Sequence, residues 1–414
     1  MINFKKYTLD NGLRLIVHRD TSTPIVAVNT LYDVGARDED PNRSGFAHLF
    51  EHLMFGGSIN IPNFDNPLQR VGGNNNAFTN NDFTNYYITI PKENIETAFW
   101  LESDRMLSLA FTPASLDVQR KVVIEEFKQR YLNQPYGDAW LHLRPMAYKK
   151  HPYQWATIGK SIKHIEDATL SDVKAFFKSH YHPGNAVLVV AGNVEPEKIF
   201  ELTKKWYGDI PAIEKTERNL PQESGLTGYE CETLIRPVPQ DALYMAWSMP
   251  DRFSPDYYAA DLITDILSQG KSARFYQNIV RQGGVFTSLS CYILGSLDKG
   301  LLMVSGMVDA DADFDTTRNA VLSEIEKLLL NGPSEKELQK VKNKLETSHL
   351  IQESNVLSKA MSLAYFELLG DADKVNHEMD KYRKVTREDI IRVGKEIFQT
   401  EGLKELRYQK AEKI

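Results

Sequence analysis

Apolar and polar residues alternate from Leu13 to Val17, and a second apolar run follows from Ile25 to Leu31, with turn chemistry at Asp10-Asn11-Gly12. The chain therefore opens on β-strands. The period then becomes helical. Ser44 can cap a helix reaching about Phe55 and stopping at Gly56-Gly57, and Thr112-Pro113 precedes a long amphipathic stretch to about Tyr131. Ala186 to Val194 reads as a buried strand leaving into a turn. Strands and helices alternate throughout, which predicts an α+β fold.

The two halves read as diverged copies of one unit. Thr169-Leu-Ser-Asp172 and Thr386-Arg-Glu-Asp389 start helices with the same capping spacing, 217 residues apart. The strand-like Gly300 to Val308 could answer Ala186 to Val194, although in reverse order relative to the helix. Pro211 to Glu230 carries Pro211, Pro221, Gly225 and Gly228 among mixed charges and is the best linker candidate. The expected division is an N-terminal domain over 1–215, a linker over 216–232 and a related C-terminal domain over 233–414.

Composition narrows the chemistry. With 42% apolar and 25% charged residues the 414-residue chain is ordinary globular protein, long enough for two to four domains. A net charge of -7 leaves no basic excess for a phosphate backbone, so nucleic acid is excluded as a partner class. The two cysteines, Cys231 and Cys291, have no zinc-ribbon or C-x-x-C spacing. No signal-peptide h-region opens the chain and no run of about 18 apolar residues appears, which predicts a soluble protein with no membrane partner. The expected compartment is cytoplasmic, or periplasmic or organellar if a leader has been removed.

Residues 48 to 52 read His-Leu-Phe-Glu-His. On a helix, positions i, i+3 and i+4 share a face, so His48, Glu51 and His52 project together. Two imidazoles so spaced can both reach one Zn2+ at about 2.1 Å, with a carboxylate beside the metal's open position, where it can take a proton from water. With ten histidines in the chain, a chance H-x-x-E-H has an expectation on the order of 0.02. The flanking Phe46, Leu49, Phe50, Leu53, Met54 and Phe55 make the helix apolar nearly all round, hence buried. A catalytic zinc wants a third ligand, and the long helix around Gln119 to Phe127 is its best source. Glu126 shares a face with Gln119, Val122 and Val123, whereas Glu125 lies nearer Lys121, Lys128 and Gln129. Glu126 is the better candidate.

The inverted motif resembles that of the pitrilysin/insulinase family of zinc peptidases. It is set within Gly35-Ala-Arg-Asp-Glu-Asp, Ser44-Gly-Phe-Ala-His48-Leu-Phe-Glu-His52-Leu-Met-Phe-Gly-Gly, Val71-Gly-Gly-Asn-Asn-Asn-Ala-Phe-Thr79 and Val122-Val-Ile-Glu-Glu126. His151-Pro-Tyr153, Ile158-Gly159 and Tyr181-His-Pro-Gly-Asn185 fall in family order as well, and the mitochondrial processing peptidase is one branch of that family. The resemblance implies His48, His52 and Glu126 as ligands of one Zn2+ and Glu51 as general base. Gln119 stands where the family often has a supporting Glu seven residues before the ligand Glu. It implies two related α/β-roll domains, each a mostly antiparallel sheet packed with helices, together forming one half of a clamshell. It also implies peptide substrates, met by Asn76 and Ala77 where a loop at Asn74 to Thr79 feeds an edge strand at Phe83 to Ile90.

The family's second half contributes an Arg and, seven residues on, a Tyr to the scissile peptide. Arg281 matches the Arg, but the Tyr place falls on Thr287 or Ser288, and Tyr292 would need a shift of strand phase to substitute. The pair is incomplete. The expectation is therefore a heterodimer, in which a paralogous subunit without the zinc motif supplies the Arg/Tyr pair, otherwise a homodimer. A non-catalytic or peptide-binding scaffold of the same fold is the alternative.

Overall fold

Runs of β-branched and aromatic residues pair into two sheets in the computed structural model, which describes residues 1–215, 217–223 and 228–411. In the first unit the strands are β1 (Lys5–Thr8), β2 (Arg14–Arg19), β3 (Ile25–Tyr32), β4 (Asn74–Thr79), β5 (Thr84–Pro91) and β6 (Ala186–Gly192), in the order β1-β2-β6-β3-β5-β4. β2 and β6 are parallel and all other neighbours are antiparallel. Every residue of β6 is buried, which accounts for its uninterrupted apolar sequence. The stretch at Asn74 to Thr79, expected to be a loop, is itself the edge strand, while β5 lies inside, between β3 and β4.

The second unit holds β7 (Glu230–Arg236), β8 (Ala242–Met249), β9 (Phe286–Leu294), β10 (Gly300–Val308) and β11 (Lys404–Lys410), in the order β7-β11-β8-β10-β9. β7 and β11 are parallel and the rest antiparallel. This is the topology of the first unit without β1: β2, β6, β3, β5 and β4 answer to β7, β11, β8, β10 and β9. Both capping boxes form, Thr169 with Asp172 and Thr386 with Asp389. Each starts a helix leading into the strand that pairs in parallel, β6 or β11. The counterpart of Ala186 to Gly192 is thus Lys404–Lys410, not Gly300–Val308, which answers β5. Charge concealed it, because Lys404 and Glu405 are buried by pairing with Glu230 and Arg407.

The units do not divide the chain into contiguous halves. The first takes residues 1–127, 155–220 and 349–377, and the second takes 128–154, 221–348 and 378–414. The helix Val356–Leu368 packs on β3 and β6, and the helix Ala139–Ala147 packs on β8 and β11. The expected linker is also shorter at both ends. Arg218 donates to Asp38 at 2.5 Å and to Asp33 at 2.9 Å within the first unit, and Glu230 already begins β7. Thr216 and residues 224–227 of that stretch lie outside the described residues.

The helix carrying the inverted motif runs from Phe46 to Leu53 and buries Phe46, Ala47, Leu49, Phe50 and Leu53. Phe50 stacks on Tyr181 at 4.6 Å and on Phe177 at 5.9 Å, beyond which Phe176 closes the cluster at 5.4 Å. Each large side chain so buried contributes about 1.5–3 kcal/mol, which holds a helix too short to persist alone. Ser44 is not its cap. Gly45 occupies that place at φ 91°, a left-handed conformation open to glycine. The Ser44 hydroxyl instead lies 2.9 Å from His164 Nδ1 and accepts the Lys160 N–H.

The helix start is satisfied by Glu39, whose carboxylate accepts from Gly45 N–H and Ala47 N–H at 2.8 Å and from Trp155 Nε1–H at 3.0 Å. Burial pushes its pKa up to about 8, while those three N–H donors pull it down.

Two outcomes follow from this architecture. Glu39→Gln, which leaves one acceptor atom for three N–H donors, lowers stability by about 1–3 kcal/mol in urea unfolding. A chain cut after residue 220 keeps all six strands of the first sheet but loses its 349–377 segment, and gives a product that binds ANS and unfolds without a sharp transition. Tethering residues 349–377 to it restores cooperative unfolding.

Candidate metal centre

Helix period and packing together decide which side chains meet. The Phe46–Leu53 helix turns its apolar residues into the core and leaves His48, Glu51 and His52 on the remaining face. Opposite runs the helix Pro113–Phe127, which buries Leu116, Val123 and Phe127 and exposes Val118 and Val122. Its Glu126 is partly buried and comes to the imidazoles, while Glu125 is exposed. One oxygen of Glu126 stands 3.6 Å from His48 Nε2 and 3.3 Å from His52 Nε2, and the three ligand atoms lie within 4.8 Å of one another. The two rings are nearly perpendicular, with centroids 4.8 Å apart.

These distances test whether an ion fits. Donors held tetrahedrally at about 2.0–2.1 Å from zinc stand about 3.3–3.4 Å from each other. The two gaps from Glu126 to the imidazoles lie close to that edge, and two imidazoles with one carboxylate are a donor set suited to a borderline cation such as Zn2+. Among the described residues this is the one group of three such donors; His151, His180 and His182 form no second one.

Glu51 faces the same space. Its Oε2 accepts from Thr79 Oγ1 at 2.6 Å, which ties the carboxylate to the last residue of β4. Gln119 sits half-buried two turns before Glu126. Asn76 and Ala77 lie on β4, paired with Tyr87 and Tyr86 of β5 on one side, and the other side of β4 is the free edge of the sheet. Ala77 shares the strand face of Thr79, two residues on, and Asn76 points to the opposite face.

The Arg and Tyr positions belong to the second unit. Arg281 ends a π-helical segment, Phe275–Arg281, and its exposed guanidinium donates to Gln277 at 3.3 Å. The register of β9 shifts so that Phe286 and Ser288 pair with consecutive residues of β10, Val308 and Met307, and Thr287 is the extra, bulged residue. Tyr292 therefore shares the face of Ser288, and no further change of phase is needed. It lies four residues along the strand, about 13 Å away, so it does not occupy the place of the missing phenol. The helix of this unit that corresponds to Phe46–Leu53 is Tyr257–Ser268, which contains no histidine.

Two contributors were not legible as such in the sequence. Glu39 stands in the Gly35 to Asp40 motif, and its signal is an acid just before a helix that has no side-chain cap of its own. Thr79 closes a strand and carries no local signal.

Comparison with known proteins fits this arrangement. Residues 14–159 match the model described as insulinase, peptidase family M16, and residues 167–345 match the one described as peptidase M16 inactive domain. The chain is 27% identical to a zinc protease, PqqE, of Helicobacter pylori over 94% of this chain and 89% of that one. It is 29% identical to the mitochondrial-processing peptidase subunit beta of Saccharomyces cerevisiae over 59% of this chain and 55% of that one. A crystal structure of a protease from Helicobacter pylori superposes with a TM-score of 0.92 at 25% identity, covering 99% of this chain and 100% of that one. The two models between them span both units, the histidine motif falls in the first and its histidine-free counterpart in the second, and the chain belongs to peptidase family M16, the insulinase family.

Proposed function

We propose that this chain is a zinc-dependent endopeptidase subunit that hydrolyses unfolded peptides. The observation that carries the proposal is the convergence of His48, His52 and Glu126 beside Glu51, next to the free edge of β4. His48, His52 and Glu126 would hold one Zn2+, which when bound supplies Lewis acidity and lowers the pKa of water. Glu51 accepts the proton of the attacking water and returns it to the leaving amine. The Thr79 hydroxyl, donating to Oε2, fixes that carboxylate. An extended peptide adds to β4 through its main chain, so affinity comes from backbone hydrogen bonds and makes little demand on sequence. Asn76 and Ala77 lie along that edge, and Gln119 supports the ligand carboxylate from the preceding turns.

Arg281, in the second unit, matches the family's peptide-binding Arg and is assigned to substrate on that match alone. The missing phenol supports assembly with a paralogous chain that brings the Arg/Tyr pair, with a homodimer as the fallback. Two such chains enclose a chamber that admits unfolded peptides.

Metal analysis of the purified chain gives close to one zinc per chain, and His52→Ala or Glu126→Ala loses it. Glu51→Gln retains zinc while peptide hydrolysis falls about 10²- to 10⁴-fold. Unchanged cleavage by Glu51→Gln removes that residue as the base, and a zinc-free chain that still cleaves removes the proposal.

A further inference from the structure

The two sheets share a strand order but end differently. In the first, β1 lies antiparallel on the outer side of β2. In the second, β7 holds the place of β2 and is itself the end of the sheet, with β11 as its neighbour on one side. The bonds to β11 show which main-chain groups β7 turns outward. Glu230 N–H donates to the Leu403 carbonyl at 3.2 Å, and the Arg236 carbonyl accepts from Ala411 N–H at 2.9 Å. In a strand the N–H and C=O of one residue point to the same side, and the side alternates along the chain. Glu230, Glu232, Leu234 and Arg236 therefore face β11, whereas Cys231, Thr233 and Ile235 present their N–H and C=O groups to the free edge. The outward Ile235 carbonyl takes a bond from the Arg236 guanidinium at 3.3 Å and has a second lone pair for another donor. The side chains of the same three residues are exposed, Ile235 at 62%. An edge with open donors and acceptors between strand-forming residues is a template for a further strand.

Side chains decide which strand fits. An antiparallel partner, placed as β1 is on β2, must set outward-facing residues of its own against Cys231, Thr233 and Ile235. The β7 of a second copy does this about a twofold axis through Thr233. Thr233 then faces Thr233 of the second copy and Cys231 faces Ile235 of the second copy, each as a pair that exchanges two main-chain hydrogen bonds. Between and beyond these pairs, Glu232 faces Leu234 and Glu230 faces Arg236 of the second copy, so opposite charges meet at both ends of the paired segment. The neighbouring registers fail. Centred on Cys231, the axis sets Glu230 against Glu232 of the second copy, with like charges directly opposed. Centred on Ile235, it sets Thr233 against Pro237 of the second copy, which has no N–H to donate. We propose that β7 is a self-association edge, to which a second copy of this chain adds its own β7 antiparallel, joining two second-unit sheets across a twofold axis at Thr233. The second copy takes the place that β1 fills in the first sheet. The pairing asks nothing of the metal centre, so its test is separate from that of the peptidase reading.

The test reads the mass of the full-length chain by light scattering over a dilution series, together with disulfide capture. Thr233→Pro removes an N–H that faces away from β11, a position where an edge strand tolerates proline. At the highest concentration this variant is expected to have half the mass of the wild-type assembly, with a urea midpoint close to wild type, while Thr233→Val keeps the wild-type mass. Capture uses Cys231→Ser as its background. Thr233→Cys in that background sets two thiols on residues whose Cα atoms lie about 5.5 Å apart across the axis, within disulfide reach, and mild oxidation with diamide gives a covalent dimer. Ile235→Cys in the same background lies about 13 Å from its mate and gives none. Equal mass of wild type and Thr233→Pro at every concentration overturns the proposal. So does capture by Ile235→Cys in place of Thr233→Cys, or by neither, and this arm reads the register even if the proline variant does not fold.

Discussion

A short helix that has to be buried and still carry three titratable side chains is the constraint on which the rest of the first unit depends. Eight residues cannot hold a helix by backbone hydrogen bonds alone, so Phe46, Leu49, Phe50 and Leu53 must be packed on almost every side. The direction left uncovered is the one where His48, Glu51 and His52 emerge. Whatever closes that direction must satisfy imidazoles rather than apolar carbon, and the partly buried carboxylate of Glu126 does so at 3.3 and 3.6 Å. Glu39 and Trp155 fasten the N-terminal turn from behind, and Thr79 ties the middle of the helix to the sheet edge. The centre is thus held from the helix start, the facing helix and the strand.

The second unit repeats the strand order and pairing without the chemistry. Its counterpart helix, Tyr257–Ser268, is buried along most of its length and bears Asp261 and Asp265 in place of histidines, the second of them paired with Lys344 at 3.4 Å. Burial raises the pKa of both carboxyls. A duplicated scaffold has kept the packing requirement in both copies and the donor set in one.

What the sequence disclosed follows from how local each feature is. The His48-to-His52 spacing, the Thr169 and Thr386 capping boxes and the apolar β6 are written within a few residues, and each was legible. Glu126 comes to the imidazoles on the helix face it shares with the buried Val123, whereas Val122, expected on that same inner face, is 44% exposed. Features that depend on pairing across the chain were not legible. β11 reads as a charged segment until Glu230 and Arg407 neutralise it, and Ser44 reads as a cap until His164 claims its hydroxyl. One repeat could have been found. Arg70-Val-Gly-Gly and Arg281-Gln-Gly-Gly lead into the corresponding strands β4 and β9.

The exchange of segments bears on how the protein is made. A ribosome releases the chain from its amino end, and a domain ordinarily folds as soon as its last residue emerges. Here the sheet of the unit that carries the metal ligands waits for Val356–Leu368, so all six of its strands are synthesised long before that sheet has its covering helix. Through that interval β3 and β6 are an apolar surface in need of protection during biosynthesis, and a chaperone that holds the nascent chain has a defined surface to shield until Val356–Leu368 emerges.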